Sequence, residues 1–374
     1  VPSFPDISDY FNISDGLTQM TVALNCFGFC LASGFYGPLS DTFGRRKVML
    51  IGNAIMLVGS IGCALAHSIE YLLFSRFIQG VGASTSAVVA FAMVADVYSE
   101  EKSAKLVGTM NSLITVFMSI APIAGGFINE SLGWRGNYSV IALLSVISWL
   151  MLYLWLPETK ERFNPLRYSK IANDFRTLFT DSRFMLASLV PSIFFAGWMS
   201  FVSCGSFLYM ETYDLPIMSY ALHQGFIIAV FSGVSLYTGR ILQIIGEKNC
   251  VIFGVIFALA GSILMISVAF IFENAPYLTS ISMIIYSIGA AISYPVIFVK
   301  SLQIFPDIKG TASSAIMSMR ALLCAGFIAF SSYVYSGKLI TVAAMLLTAS
   351  VLIILFSIKL LKALPFATKE QKLI

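Results

Sequence analysis

The sequence predicts an all-α protein that crosses a lipid bilayer many times. Three observations carry this. The chain is 58% hydrophobic and only 11% charged over 374 residues, where a soluble domain averages about 25% charged. Its apolar residues fall in blocks of about 18–25, the length a bilayer-spanning helix needs. Its basic residues collect in alternate connections between those blocks. Eleven spans follow in order: 18–38, 48–67, 70–95, 104–127, 138–156, 184–209, 220–243, 250–272, 278–300, 311–335 and 338–362. Lipid offers free backbone groups no partner, so a helical bundle is the expected solution.

Lysine and arginine orient the spans. Of the 23 basic residues, nineteen lie in one set of connections and the C-terminal tail, and two, Arg135 and Lys338, lie on the opposite side. Arg76 and Arg320 fall inside spans. The C-terminus is therefore expected in the cytoplasm. An odd number of spans puts residue 1 outside, and residues 3–16 carry no basic residue, as an outside loop would. The simplest reading is that one further helix precedes Val1, for twelve in all. The net charge of +4 comes from these loops. No basic face interleaved with aromatics suggests nucleic-acid binding.

The stretch Gly37-Pro-Leu-Ser-Asp-Thr-Phe-Gly-Arg-Arg-Lys47 separates the first two spans. Gly37 and Gly44 permit a tight turn and close helix approach. Asp41 stands four residues before Arg45, within pairing range, and Asp96 at the end of span 70–95 is the candidate third member. The pattern Gly-x-Leu-x-Asp-x-x-Gly-Arg-basic-basic resembles the signature loop of the major facilitator superfamily. In that family such a cluster implies a latch whose geometry changes as two helical halves rock. The alternative is that Arg45, Arg46 and Lys47 only enforce topology.

An internal repeat supports two halves. Gly37 and Gly44 recur as Gly239 and Gly246, and Gly108-Thr109 recurs as Gly310-Thr311, all at an offset of 202 residues. The expected organisation is an N-terminal helical half over 1–156, a linker over 157–183 and a C-terminal half over 184–374 with a short tail. The resemblance implies pseudo-symmetric six-helix halves, with helices two to six of the family in the first and seven to twelve in the second. In the linker, Ile171, Phe175, Leu178 and Phe179 have the spacing of an interfacial helix; a solvated linker is the alternative.

Arg76 sits early in span 70–95, within Leu72-x-x-x-Arg76-x-x-Gln79-Gly80-x-Gly82. An arginine there costs about 2.5–3.5 kcal/mol on insertion scales and should face the bundle or a cavity, unless it snorkels to headgroups. The pattern is similar to the fourth-helix motif of drug:proton antiporters, which implies a part in proton coupling for Arg76 and Gln79. Ala121-Pro122-Ile123-Ala124-Gly125-Gly126 resembles the fifth-helix antiporter motif. Pro122 removes a backbone hydrogen bond, and Gly125 and Gly126 let a neighbouring helix close in. The pattern departs from the family at Phe117 and Ala121, and a simple kink is the alternative. Residues 1–7 resemble the segment after the first helix of Bcr/CflA multidrug exporters, in which an acid stands just before the first proline. The eleven spans contain no acid in their interiors, so a coupling carboxylate is expected upstream of Val1.

Arg320 lies near the middle of span 311–335. It could bind an anionic cargo group or neutralise that acid, unless the span is shifted. Asn25, Asn111 and Tyr294 are further candidates for lining a cavity rich in Phe and Met. Pro157-Glu158-Thr159 and Leu132-Gly133-Trp134-Arg135 match family landmarks without evident chemistry. The six cysteines lie in or at the ends of spans and are read as packing residues. Two histidines and the absence of any Ser/His/Asp grouping, phosphate loop or metal cluster argue against an enzyme, and no cofactor is expected. The expected protein is a monomeric transporter in a bacterial inner membrane, exporting drugs or other amphiphilic small molecules in exchange for protons. The alternative cargo is an anionic metabolite or siderophore held by Arg320.

Overall fold

The computed structural model describes residues 2–98, 100–160, 168–272, 274–305 and 308–366. Twelve α-helices make up the described chain: α1 (Phe4–Phe11), α2 (Asp15–Phe43), α3 (Arg45–Ala64), α4 (Ile69–Val97), α5 (Glu100–Trp155), α6 (Tyr168–Thr180), α7 (Ser182–Phe207), α8 (Ile217–Ile245), α9 (Glu247–Ile271), α10 (Pro276–Ile304), α11 (Lys309–Val334) and α12 (Leu339–Ala363). One π-helical turn, Leu208–Thr212, extends α7.

Among the described residues, ten helical stretches are long and apolar enough to cross a membrane. One of them, Val116–Trp155, has 40 residues. At about 1.5 Å per residue that is about 60 Å, twice a bilayer's hydrocarbon core. It is two crossings. Gly133, at φ 68° and ψ −178°, breaks α5 into arms over 100–132 and 134–155. With that division the structure has the eleven crossings read from the sequence, and the expected multi-helix membrane fold stands. Many large apolar side chains point outward, among them Phe74 at 63% and Phe270 at 77% exposure; a lipid environment makes such a surface favourable.

The helices start where side chains can satisfy free backbone N–H groups. Ser14 Oγ accepts from Leu17 N at 3.3 Å and Ser68 Oγ from Tyr71 N at 3.3 Å. Asp181 Oδ1 accepts from Arg183 N at 2.9 Å and Phe184 N at 3.0 Å. The hydrogen bond from the Arg183 side chain holds the Asp181 carboxyl below the usual carboxylate range.

The repeat read from the sequence has a geometric counterpart. Gly44 (φ 97°) joins α2 to α3, and Gly246 (φ 82°) joins α8 to α9. Positive φ at both makes glycine the residue that fits there. α2 and α8 each have 29 residues.

Two elements depart from the sequence reading. The polar segment 3–16 contains α1, whose Phe4 and Ile7 are buried against Leu72, Trp134 and Phe207. Asp6 Oδ2 accepts a hydrogen bond from Asn129 Nδ2, and Arg135 stacks on both Tyr10 and Trp134 at 4.2 Å. Both readings of the linker are also modified. α6 is helical, but Leu178 packs inward on Phe184, Ala312, Ala315 and Ile316 with Phe175 partly buried against them, so part of its apolar face meets protein while Phe179 stays exposed.

Candidate functional site

We call the end of the bundle bearing residues 37–47 the loop end, and the opposite end the far end. A cavity of about 1860 Å³ lies between the helices of the first half and those of the second. Its walls come from the loop-end portions of α2, α4, α8 and α10 and from α5, α7 and α11. Its mouth carries Asp41, Thr42, Lys170 and Asp174, and its deep wall carries Arg320, Tyr294, Phe195 and Trp198. Along α2 it runs from Thr42 to Phe29, about 20 Å at the helical rise.

The far end is closed by two seams between the halves. In the α2–α11 seam, Gly16 abuts the Ser332 carbonyl, and Ser331 Oγ donates to the buried Gln19 Oε1 at 3.1 Å. In the α5–α8 seam, a Cβ on Gly126 would come 2.9 Å from Ala221 Cβ, and one on Gly225 would come 2.9 Å from Ile123 Cδ1. Gly126 thus sits at a close helix approach, as its residue type requires. Pro122 lies within the same arm of α5, one turn before Gly125 and Gly126. Gly125 faces the second arm of α5: a Cβ there would lie 3.5 Å from Asn137 Oδ1.

Asp41, Arg45 and Asp96 come together at the loop end. Arg45 Nη2 lies 2.8 Å from Asp41 Oδ1, and Arg45 Nε lies 2.8 Å from Asp96 Oδ2. Two members of this cluster were missed in the sequence. Lys160 Nζ is 2.8 Å from Asp41 Oδ1. Glu158 accepts from the backbone N–H groups of Arg45 at 2.9 Å and Arg46 at 3.1 Å. Its negative charge sits at the positive end of the α3 dipole. The Pro-Glu-Thr landmark therefore does carry a physical role, and its corrected reading is a cap for α3 supplied by the segment that follows α5. Gly37 lies on the cavity wall beside α11, where a Cβ would be 3.5 Å from Ser314 Oγ.

Arg76 lies off the cavity, inside the first half. Its Nε donates to the Thr21 carbonyl at 3.2 Å, its Nη1 donates to Gln79 Oε1, and the guanidinium faces the Tyr138 ring at 5.9 Å. Gln79 Nε2 passes the network to Ser60 Oγ at 3.0 Å. Asn25 is corrected here: it was expected at the cavity, but its Nδ2 donates to the Arg76 carbonyl at 2.9 Å. Its amide ties α2 to α4. The side chain of Asn111 lies outside the described residues.

Arg320 does face the cavity. It stands about 17 Å from the start of α11 by helical rise, its Nη1 donates to Tyr294 OH at 3.0 Å, and its guanidinium lies 4.8 Å from the Phe195 ring centroid. Its carboxylate-free surroundings contrast with those of Arg45: among the described residues, no acid is within ion-pair distance of Arg320.

A bundle of this kind, with one large cavity between two sets of helices and two sealing seams, is a multi-span membrane transporter for small molecules and not an enzyme. The family model for the Major Facilitator Superfamily matches residues 1–329, and the chain belongs to that superfamily. Among curated relatives, the bicyclomycin resistance protein homolog of Haemophilus influenzae is 26% identical over 95% of this chain and 89% of its own length. The chloramphenicol resistance protein CraA of Acinetobacter baumannii is 24% identical over 90% of this chain and 81% of its own. The multidrug resistance protein MdtM of Escherichia coli is 24% identical over 84% and 77%. These are the Bcr/CflA-like relatives that the motifs led us to expect. Among solved structures, the xylose transporter XylE of E. coli, partially occluded and inward open, superimposes with a TM-score of 0.72 at 16% identity over 94% of this chain and 88% of that one. The human organic anion transporter MFSD10 gives 0.69 at 20% identity over 92% and 83%. At these identities the two structures speak to the fold.

Proposed function

We propose that the chain exports drugs or other amphiphilic small molecules in exchange for protons, by alternating access through the cavity. The observation that carries this is the cavity itself, bounded by both halves, open at the loop end and sealed at the far end. The drug-resistance names of the relatives support the cargo class. The basic loops assign the loop end to the cytoplasm, so the cavity would receive cargo from inside. The helices of 1–156 and of 184–374 act as the two rocking bodies. Opening the far end requires parting the α2–α11 and α5–α8 seams, and closing the loop end brings the Asp41/Arg45/Asp96 cluster toward the second half.

Arg76 is the proposed tuning residue for the coupling proton. A permanent cation inside the first half favours the ionised form of any acid facing it. Proton binding would then be weak enough to reverse within each cycle.

The test is transport by the full-length protein in proteoliposomes with an imposed pH gradient and chloramphenicol as probe. Gradient-driven movement, abolished by an uncoupler and by Arg76→Ala, is the expected result. Chloramphenicol movement of equal rate with and without the gradient would overturn proton coupling.

A further inference from the structure

We propose that the deep wall of the cavity is an anion-reading subsite, in which Arg320 and Tyr294 hold a carboxylate or similar oxyanion while Phe195 and Trp198 flank an aromatic body. The inference rests on the transport reading above and adds to its cargo class aromatic molecules that carry an anionic group.

The first argument is electrostatic. Arginine is a permanent cation with five N–H donors and no acceptor. Near the middle of a membrane helix such a charge is costly unless it finds a partner. Two other arginines of the bundle, the buried Arg45 and the half-buried Arg76, are supplied. Arg45 has two carboxylates at 2.8 Å. Arg76 has a carbonyl and an amide oxygen as acceptors, and faces the Tyr138 ring. Arg320 has one neutral hydroxyl at 3.0 Å and one ring at 4.8 Å. Most of its donors remain for something that enters the cavity.

The second argument is the balance of hydrogen-bonding groups. Tyr294 uses its oxygen to accept from Arg320, which leaves its own O–H to donate. Trp198, 2% exposed in the same wall, has an indole N–H without a hydrogen-bond partner among the described residues. An indole can only donate. Arg320 and Tyr294 therefore present donors and no carboxylate, with the buried Trp198 behind them. The described acids of the cavity, Asp41 and Asp174, stand at its mouth, and Asp41 is already engaged by Arg45 and Lys160.

The third argument concerns aromatic recognition. An open ring wall would attract cations through its π faces. Here the guanidinium of Arg320 already lies over Phe195. An arriving cation would meet that charge at close range, while an anion would neutralise it. Trp198 and Phe231, with centroids 4.6 Å apart at 64°, continue an apolar wall suited to a flat ring.

The experiment uses three probes of one shape: 1-naphthoate, 1-naphthamide and 1-naphthylmethylammonium. Their binding to the purified full-length protein is measured by calorimetry. Wild type is expected to bind naphthoate at least about ten-fold more tightly than naphthamide, with the ammonium weakest. Arg320→Gln should bring naphthoate and naphthamide within about two-fold, Arg320→Lys should keep most of the preference, and Tyr294→Phe should reduce it. Ammonium binding equal to or tighter than naphthoate, binding of none of the three, or an anion preference unchanged in Arg320→Gln would each overturn the proposal. If Arg320→Gln does not fold, the wild-type order of the probes decides. This outcome is separate from that of the transport test. Failure of pH-driven movement sinks proton coupling and leaves the charge order intact, whereas a reversed charge order sinks only the subsite.

Discussion

Arg45 Nε lies 2.8 Å from Asp96 Oδ2, so the first residue of α3 is tied to the end of α4. The second half has the same tie with its charges exchanged: Glu247, the first residue of α9, lies 2.9 Å from Lys300 near the end of α10. A helix-start to helix-end ion pair thus recurs at corresponding places of the two halves. Its recurrence with opposite polarity means that the pairing, more than either sign, is what these junctions need.

Removing the acid from the first tie leaves a guanidinium that is only 7% exposed with one carboxylate fewer. Asp96→Asn is expected to lower stability by about 1.5–3 kcal/mol, the range for a hydrogen bond to a charged group. Thermal unfolding of the detergent-purified protein reads it. The change should be larger than for Lys160→Gln, whose side chain is 18% exposed and pairs with an already engaged Asp41.

Glu158 serves two backbone donors at the start of α3. Glu158→Ala should cost about 0.5–2 kcal/mol, as loss of a helix cap does, and hydrogen exchange at Arg45 and Arg46 should quicken. Glu158→Gln should retain more than half of the stability, because an amide oxygen still accepts. Unchanged exchange in Glu158→Ala would remove the cap assignment.

Gly126 sits at a close approach in the α5–α8 seam. Gly126→Leu should hold the far end apart and shift the resting population toward the state open there. In a background without the six native cysteines, Gln224→Cys reports this: at 3% exposure the wild-type side chain is sealed. Labelling by a membrane-impermeant maleimide should become several-fold faster when Gly126→Leu is added. Equal labelling rates would show that the seam does not gate the far end.

Asp181 gives a pH dependence whose sign follows from its environment. Its folded-state carboxyl is held low, first by the hydrogen bond from the Arg183 side chain. A depressed acid stabilises the fold above its unfolded value, about 3.9, and loses that contribution as pH falls through the lower folded value. Asp181→Asn should therefore melt below wild type at pH 7, and the difference should shrink as the pH is taken below about 4.

The crossing helices were legible because lipid leaves the chain one solution per apolar block, and because charge alternation checks the number of blocks. The Asp41/Arg45 pair was legible because the short, glycine-turned spacing keeps both residues at one junction, where Gly44 turns α2 into α3. Asp96 joined it through its place at a helix end. α1 carried a readable signal, Phe4, Ile7 and Phe11 at helical spacing, which the polar composition of the segment obscured. Glu158 was not legible in its role: the 113 positions separating it from Arg45 carry no pattern linking a cap to its helix.

What the sequence by itself determined is the number and order of the membrane helices, since these depend on hydrophobicity along the chain. What only the tertiary structure decided is which polar side chain faces which space. Asn25, Arg76 and Arg320 are all polar residues within apolar helices, and nothing local separates them. Packing sends Asn25 to the Arg76 backbone carbonyl and the Arg76 side chain to Thr21 and Gln79 inside one half, and leaves Arg320 on the cavity wall without an acid among the described residues. A side chain's partner is set by the rotation of its helix against its neighbours, and that rotation is fixed by contacts between segments distant in sequence.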